Sequence, residues 1–302
     1  MTIENALTGL LTVKSQVPEE AMTASVLGCE REGHGIRVSE NGLVLTIGYV
    51  ISEASSIWLI DSEQQAVEGH VVGYDQASGF GLVQALGRLN GSVLQLGDSD
   101  EVEAGRQMVL AGAGGAASAV DVTIVEVREF AGYWEYLIGG AIFTEPAHPQ
   151  WGGTALLDSA GRVYGVGSLI LQAEDDSEPA RNMIIPINKF SDVRDDLIAS
   201  GRSSAPPRPW LGWYVQDSAQ GPTVIGLVAN GPSMAAGIKP GDRVVAINGR
   251  RISSLSSLYN EIWTVGEAGI TVDVAISRDA DIRIVAVESI DRSSMMWRSA
   301  LH

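Results

Sequence analysis

Cysteine is nearly missing from this 302-residue chain: Cys29 stands alone, so no intrachain disulfide can form. Histidine is scarce as well. His34, His70, His148 and His302, taken with Cys29, show no metal-ligand spacing, so neither a zinc centre nor any other cofactor is expected. Positive charge is short, with 20 Lys and Arg against 37 Asp and Glu and a net charge of −17. A polyanion repels nucleic acid and anionic membranes, so neither is an expected partner. No run of about 20 apolar residues is present to cross a membrane as a helix. The opening text, MTIENALTGLLTVKSQVPEE, has no basic n-region, and Thr, Gly and Lys break its apolar run. It does not read as a secretory signal, so the expected location is cytoplasmic, or periplasmic if a signal has been trimmed.

What is present points to a turn-rich, mostly β protein of about two domains at ~150 residues each. Hydrophobic residues make up 45% of the chain and charged ones 19%, enough apolar material for sizeable cores. Gly is abundant at 35 residues, and short apolar runs alternate with Gly, Asp, Ser and Asn. Residues 4–24 show a helical spacing of Ala6, Leu10, Leu11 and Val13, and residues 1–25 read as an N-terminal helix or arm. Strands are expected over 44–50, 56–60, 69–72, 81–85, 107–113, 120–127, 136–143, 154–157 and 163–171. Many short strands at this spacing suggest a barrel or sandwich over 26–202. Residues 188–201 read as a helix with Asn188 at its N-cap and Gly201 at its end. The stretch SSAPPRP at 203–209 reads as a stiff linker, a second unit occupies 210–291, and 292–302 form a tail.

Several segments together resemble the HtrA/Deg family, in which a trypsin-like double β-barrel precedes a PDZ domain. Asn41-Gly42-Leu43-Val44-Leu45-Thr46 is similar to the family's N-G-x-I-L-T strand. Val71-Val72-Gly73-Tyr74-Asp75 is similar to its V-V-G-x-D, Leu96-Gly97-Asp98-Ser99-Asp100 to its L-G-D-S-D, and Gly161-Arg162-Val163-Tyr164-Gly165-Val166 to its G-x-V-I-G-I. Each motif alone is weak; their order and spacing make the resemblance.

That resemblance places three residues where the family keeps its catalytic triad. Tyr49, in Leu45-Thr46-Ile47-Gly48-Tyr49-Val50, stands at the general base; a phenol titrates near pH 10 and is a poor proton acceptor at neutral pH. Gly79, after Asp75-Gln76-Ala77-Ser78, stands at the orienting aspartate and has no side chain to orient a base. Trp151, in His148-Pro149-Gln150-Trp151-Gly152-Gly153, stands at the nucleophile, and indole is none. Pro149 falls at an oxyanion position and has no N–H to donate; loss of one such donor raises a barrier by about 3–4 kcal/mol. No other group stands out as a replacement. Cys29 reads as an apolar buried cysteine, His34 as a turn histidine, His148 as a neighbour of the old cleft without a nucleophile, Ser168 as structural, Asp75 as a turn residue and His70 as a surface residue. Two readings of Tyr49 and Trp151 stay open: filler of an unused cleft, or a new binding surface.

The second unit is similar to a bacterial PDZ domain. Trp210-Leu211-Gly212-Trp213 resembles the carboxylate-binding loop, Gly231–Asp242 the family's G-S-P-A-x-x-A-G segment, and Val244–Gly249 its V-I-x-x-[IV]-N-G. Residues 254–263 read as the groove helix, with Leu255, Leu258 and Ile262 at helical spacing, and strands at 272–276 and 282–287, joined at Asp279-Ala280-Asp281, close the unit. The resemblance implies peptide binding by strand addition, with the loop N–H groups of Leu211, Gly212 and Trp213 on a C-terminal carboxylate and Trp210, Leu258 and Ile262 nearby. The leading expectation is a catalytically inactive protein that binds protein C-termini or extended peptides. The alternatives are a serine endopeptidase with an unrecognised site and a regulatory subunit that assembles with itself or with an active relative. Active relatives trimerise through aromatic contacts near the N-terminus, and here no aromatic precedes Tyr49.

Overall fold

The structure is a computed structural model that describes residues 2–172, 179–279 and 281–298. The chain divides into two units. The first holds the residues up to Glu129 and Gly139–Ser203; the second holds Phe130–Ile138 and Ser204–Trp297.

The first unit opens with helix α1 (Ile3–Leu7), where the Thr2 hydroxyl accepts the Asn5 N–H. Strand β1 (Leu10–Gln16) follows, then α2 (Ala24–Leu27), β2 (Glu30–Arg37), β3 (Leu43–Ile47), the helical turn α3 (Gly48–Ile51), β4 (Ser56–Ile60), β5 (Ala66–Tyr74) and β6 (Phe80–Ala85). These strands close into a barrel in the order β1-β2-β3-β6-β5-β4. The helix expected over 4–24 therefore ends at Leu7. From Leu11 the burial alternates, with Val13 and Ser15 inside and Lys14 and Gln16 outside, and that period of two is a strand's. The strand expected over 44–50 is also shorter. It stops at Ile47, and the helical turn after it carries Tyr49.

A second closed barrel is built from β7 (Gln107–Ala111), β8 (Ala119–Gly132), β9 (Tyr136–Glu145), β10 (Ala155–Leu157), β11 (Val163–Leu171) and β12 (Arg181–Pro186), in the order β10-β11-β12-β9-β8-β7. Leu110, Ile124, Ile142, Leu156, Tyr164 and Ile184 fill its interior. Helix α4 (Asn188–Ser200) follows and ends at Gly201 in the left-handed region, as the sequence indicates. Its cap is Ile187 rather than Asn188; the Asn188 amide instead accepts from Ser99 N–H and donates to Asp98.

The second unit is a sheet of order β13-β14-β15-β17-β18, built from β13 (Trp213–Gln216), β14 (Thr223–Leu227), β15 (Arg243–Ile247), β17 (Thr271–Arg278) and β18 (Asp281–Glu288), with β16 (Arg250–Arg251) paired to β15. Helices α5 (Pro232–Ala235) and α6 (Leu255–Thr264) complete it. Ser254 caps α6 through a reciprocal capping box with Ser257, which fixes where the helix begins. Leu258, Tyr259 and Ile262 of α6 pack with Leu211, Trp213 and Val215 in one apolar core. The expected join at Ala280 lies outside the described residues. The sequence presents the barrel region as one run over 26–202. The structure instead starts it at β1 and groups the tip of the β8–β9 hairpin, Phe130–Ile138, with the second unit.

Candidate functional site

Two places in the molecule correspond to the residues singled out in the sequence. The first lies in the first unit, around Tyr49 and Trp151. Arg31 anchors the turn that carries Tyr49, donating to the carbonyls of Tyr49 at 2.9 Å and Ser52 at 3.0 Å and to the Thr23 hydroxyl at 2.8 Å. Burial lowers the Arg31 pKa, and Glu53, which accepts from the Thr23 and Met22 N–H groups, opposes that fall. The Tyr49 hydroxyl donates to the Ser168 carbonyl at 2.9 Å. Burial pushes its pKa above the ordinary value of 10.0, against the effect of a hydrogen bond with the Trp151 side chain. The Tyr49 hydroxyl lies against Gly152, next to Trp151, and Tyr49 and Trp151 are both half-buried.

The loop bearing Trp151 is held from both sides. His34 N–H donates to the Gly152 carbonyl at 2.7 Å, and Gly153 N–H to the Gly167 carbonyl at 2.8 Å. The Thr154 hydroxyl donates to the Trp151 carbonyl at 2.9 Å. Gly79 sits at φ +81° in the turn closed by its N–H to the Asp75 carbonyl at 2.8 Å, and its own carbonyl accepts the Gly48 N–H at 2.7 Å. A side chain at that φ is strained, so an aspartate is disfavoured there by the backbone itself. Pro149 is exposed and offers no N–H.

The two imidazoles nearby are engaged by backbone. His148 is buried; its Nε2 lies 3.0 Å from the Ser118 carbonyl, and its Nδ1 accepts the Gln150 N–H at 3.1 Å. His34 is a buried residue within β2, not the turn histidine the sequence suggests. Its Nδ1 accepts the Ala113 N–H at 3.0 Å, and burial together with His148, 6.3 Å away ring to ring, pushes its pKa down to about 4. Cys29 is half-buried rather than buried, and His70 is half-buried rather than fully at the surface. Ser168 is buried at a register shift of β11, and Asp75 accepts the Ser78 N–H at 2.7 Å within its turn. Among the described residues, no group of three His, Cys, Asp or Glu is placed to hold a metal ion, and no helix is long and apolar enough to cross a membrane.

The second place is the loop Trp210–Trp213. Gly212 has φ +71°, a conformation that turns successive N–H groups towards one point. That point is occupied by the carboxylate of Glu135. Gly212 N–H donates to it at 2.8 Å, Leu211 N–H at 3.1 and 3.2 Å to its two oxygens, and Trp213 N–H at 3.4 Å. Trp210 does not join them; its backbone forms a two-way bridge with Ile290. Leu258 and Ile262 are fully buried in the core beneath α6.

Glu135 comes from the hairpin turn Tyr133-Trp134-Glu135 between β8 and β9, with φ +58°. A three-residue hairpin loop commonly ends in a left-handed residue, usually glycine. Here that position carries a side chain, at a cost of roughly 1–2 kcal/mol. The backbone around it is also engaged. Val215 N–H on β13 donates to the Tyr133 carbonyl at 2.8 Å, and the Tyr259 hydroxyl on α6 donates to the Gly132 carbonyl at 2.7 Å. Because β13 is the last strand of its sheet, the bond to Tyr133 lies along the outer edge of that sheet. Glu135 is almost completely buried, which pushes its pKa up to about 7; the three loop N–H groups and Arg292 pull in the opposite direction. Sequence reasoning alone misses Glu135, Tyr133 and Tyr259. The one available signal is three aromatics, Tyr133, Trp134 and Tyr136, crowded around a glutamate at a turn.

Residues 33–166 match the trypsin-like peptidase domain, and residues 209–288 match the PDZ domain. Among curated relatives, the chain is 26% identical over 283 residues to "Serine protease Do-like HtrA" of Lactobacillus helveticus, covering 84% of this chain and 68% of that protein. It is 27% identical over 277 residues to "Probable periplasmic serine endoprotease DegP-like" of Halomonas elongata, covering 84% of this chain and 55% of that protein. The chain thus spans about half to two thirds of the length of these relatives. In fold it is similar to the solved "HtrA-type protease AlgW with decapeptide", at 19% identity and a TM-score of 0.56 over 97% of this chain and 99% of that one. The serine endoprotease from Yersinia pestis gives 19% identity and a TM-score of 0.56 over 96% of each chain.

Proposed function

We propose that this chain, a member of the HtrA/Deg family with a trypsin-like domain followed by a PDZ domain, works by binding and not by cleaving. The observation that carries the reading is the convergence of the Leu211, Gly212 and Trp213 N–H groups on one carboxylate. A loop that holds a carboxylate beside β13, the edge strand of its sheet, has the two elements needed to take a peptide C-terminus as an added strand. The ligand class is accordingly a protein or peptide with a free C-terminal carboxylate and an extended last few residues.

The residues of the first unit support the negative half of the proposal. Hydrolysis by a triad needs a nucleophile, a base beside it and an orienting group. Tyr49 keeps its proton to well above neutral pH and spends it on the Ser168 carbonyl. Gly79 has no side chain to orient a base, Trp151 has no nucleophilic atom, and Pro149 has no oxyanion donor. Both nearby imidazoles are tied to backbone groups. The relatives are named serine proteases, so cleavage by an unrecognised site is the rival reading. Incubation of the purified chain with fluorescein-labelled casein separates the two. The proposal expects no release above a mock purification. Cleavage that exceeds the mock and persists in Trp151→Ala and His148→Ala would defeat it.

A further inference from the structure

The carboxylate loop of the second unit is already filled by the chain itself. Each group that an incoming peptide needs is used by the segment 130–138. The three loop N–H groups hold Glu135, the edge N–H of Val215 holds the Tyr133 carbonyl, and Tyr259 on the facing helix donates to the Gly132 carbonyl and lies 3.3 Å from the Glu135 N–H that donates to it. Ala131 and Leu137 pack against the same apolar core that closes under β13 and α6. Tyr133 also meets Tyr214 of β13 edge to face, with ring centroids 5.9 Å apart. The segment therefore imitates a bound ligand in its carboxylate, in its strand-edge bond and in its apolar contacts.

We infer that residues 130–138 are a tethered competitor: they close the groove to free C-termini, and a peptide carboxylate binds only when Glu135 and its turn withdraw. The inference rests on the reading of the groove as a peptide acceptor given above. Glu135 at φ +58° argues that the occupancy is specific. A turn that needed only to reverse the chain has no use for a side chain in that conformation, and glycine would form it without strain. Tethering gives the competitor an effective concentration on the order of millimolar. A free peptide sees only the fraction of molecules whose groove is open, and its apparent affinity falls by that fraction.

The test uses a fluorescein-labelled decapeptide with a C-terminal valine, as the free acid and as the C-terminal amide. Each is titrated by anisotropy into the full chain, wild type and Glu135→Ala, with circular dichroism melts to confirm folding. The inference predicts that Glu135→Ala binds the acid at least ~10-fold more tightly than wild type, and that neither protein binds the amide measurably. Equal affinity of wild type and Glu135→Ala for the acid would overturn the competitor while leaving the groove reading in place. Acid and amide bound alike, or not at all, by a folded Glu135→Ala would remove the groove reading and the competitor with it. If the variant does not fold, wild type alone decides. At millimolar acid peptide, amide hydrogen exchange should quicken at 130–138 while 211–213 stay protected; bound peptide with unchanged exchange at 130–138 would refute the competitor.

Discussion

The Gly212 N–H donates to the Glu135 carboxylate at 2.8 Å across 77 positions of sequence. This one bond joins a loop that gathers N–H groups around an anion to an anion that the chain itself supplies. The residues around it are arranged in the same sense. Gly212 has the left-handed backbone that aims its neighbours' N–H groups, and Glu135 has the left-handed backbone that a hairpin turn of this length requires.

Glu135 should make the docked turn sensitive to pH. Its ordinary value is 4.5, and burial pushes it up to about 7 in the docked state. Between those values the docked carboxyl keeps a proton that the released one gives up. Docking is therefore strongest below about pH 4.5, weakens as pH rises to about 7, and loses on the order of 3 kcal/mol in all. The phenols that face Glu135, Tyr214 on β13 and Tyr259 on α6, are pushed up by burial, away from that window, and Arg292 pulls the Glu135 value down. Asp217 adds to the rise at Tyr259. Thermal melts of wild type and Glu135→Gln should show the wild-type advantage largest near pH 5 and shrinking by pH 8. An advantage that does not change with pH would contradict the assignment.

Tyr49→Phe removes a hydroxyl that donates to the Ser168 carbonyl and leaves that carbonyl without this partner in a buried strand. The expected loss is about 1–2 kcal/mol in urea unfolding of the first unit, with no change in peptide binding. A neutral or stabilising result would show that the hydrogen bond is not formed in solution.

Gly79→Asp in combination with Tyr49→His and Trp151→Ser writes the family's triad residues at the positions the resemblance assigns them, but not their geometry. Gly79 at φ +81° resists any side chain, and Pro149 still lacks its N–H. The expected outcome is no casein hydrolysis, and a stability loss of at least ~1 kcal/mol from Gly79→Asp alone. Activity gained by the three substitutions would show that the backbone around Gly79 and Pro149 is competent for a triad.

Much of the fold is legible in the sequence itself. The motifs at 41–46, 71–75, 96–100 and 231–249 carry the barrels and the PDZ domain, because turns and strand ends demand particular residues there. The loop at Leu211–Trp213 is legible for the same reason. Two features are not. The segment from Leu10 to Gln16 has apolar residues that fit a helix as well as a strand over so short a run, and only its pairing with β2 and β4 decides the matter. The role of Glu135 depends on a contact 76 to 78 residues away and on a hairpin that must first form, and no local pattern encodes that distance. Tyr49 and Trp151 illustrate a third case. The resemblance to the family places them at its triad positions, and the structure adds that the Tyr49 hydroxyl lies against Gly152, the neighbour of Trp151.

The most direct measurement is a pH titration of the 15N-labelled full chain, read by NMR at the amides of Leu211, Gly212 and Trp213. All three donate to Glu135, so in the wild type they should titrate together with a midpoint of about 7 and should lose that transition in Glu135→Gln. Amides that do not move between pH 5 and 9, or that move identically in the variant, would contradict the claim that this loop holds its own chain's carboxylate.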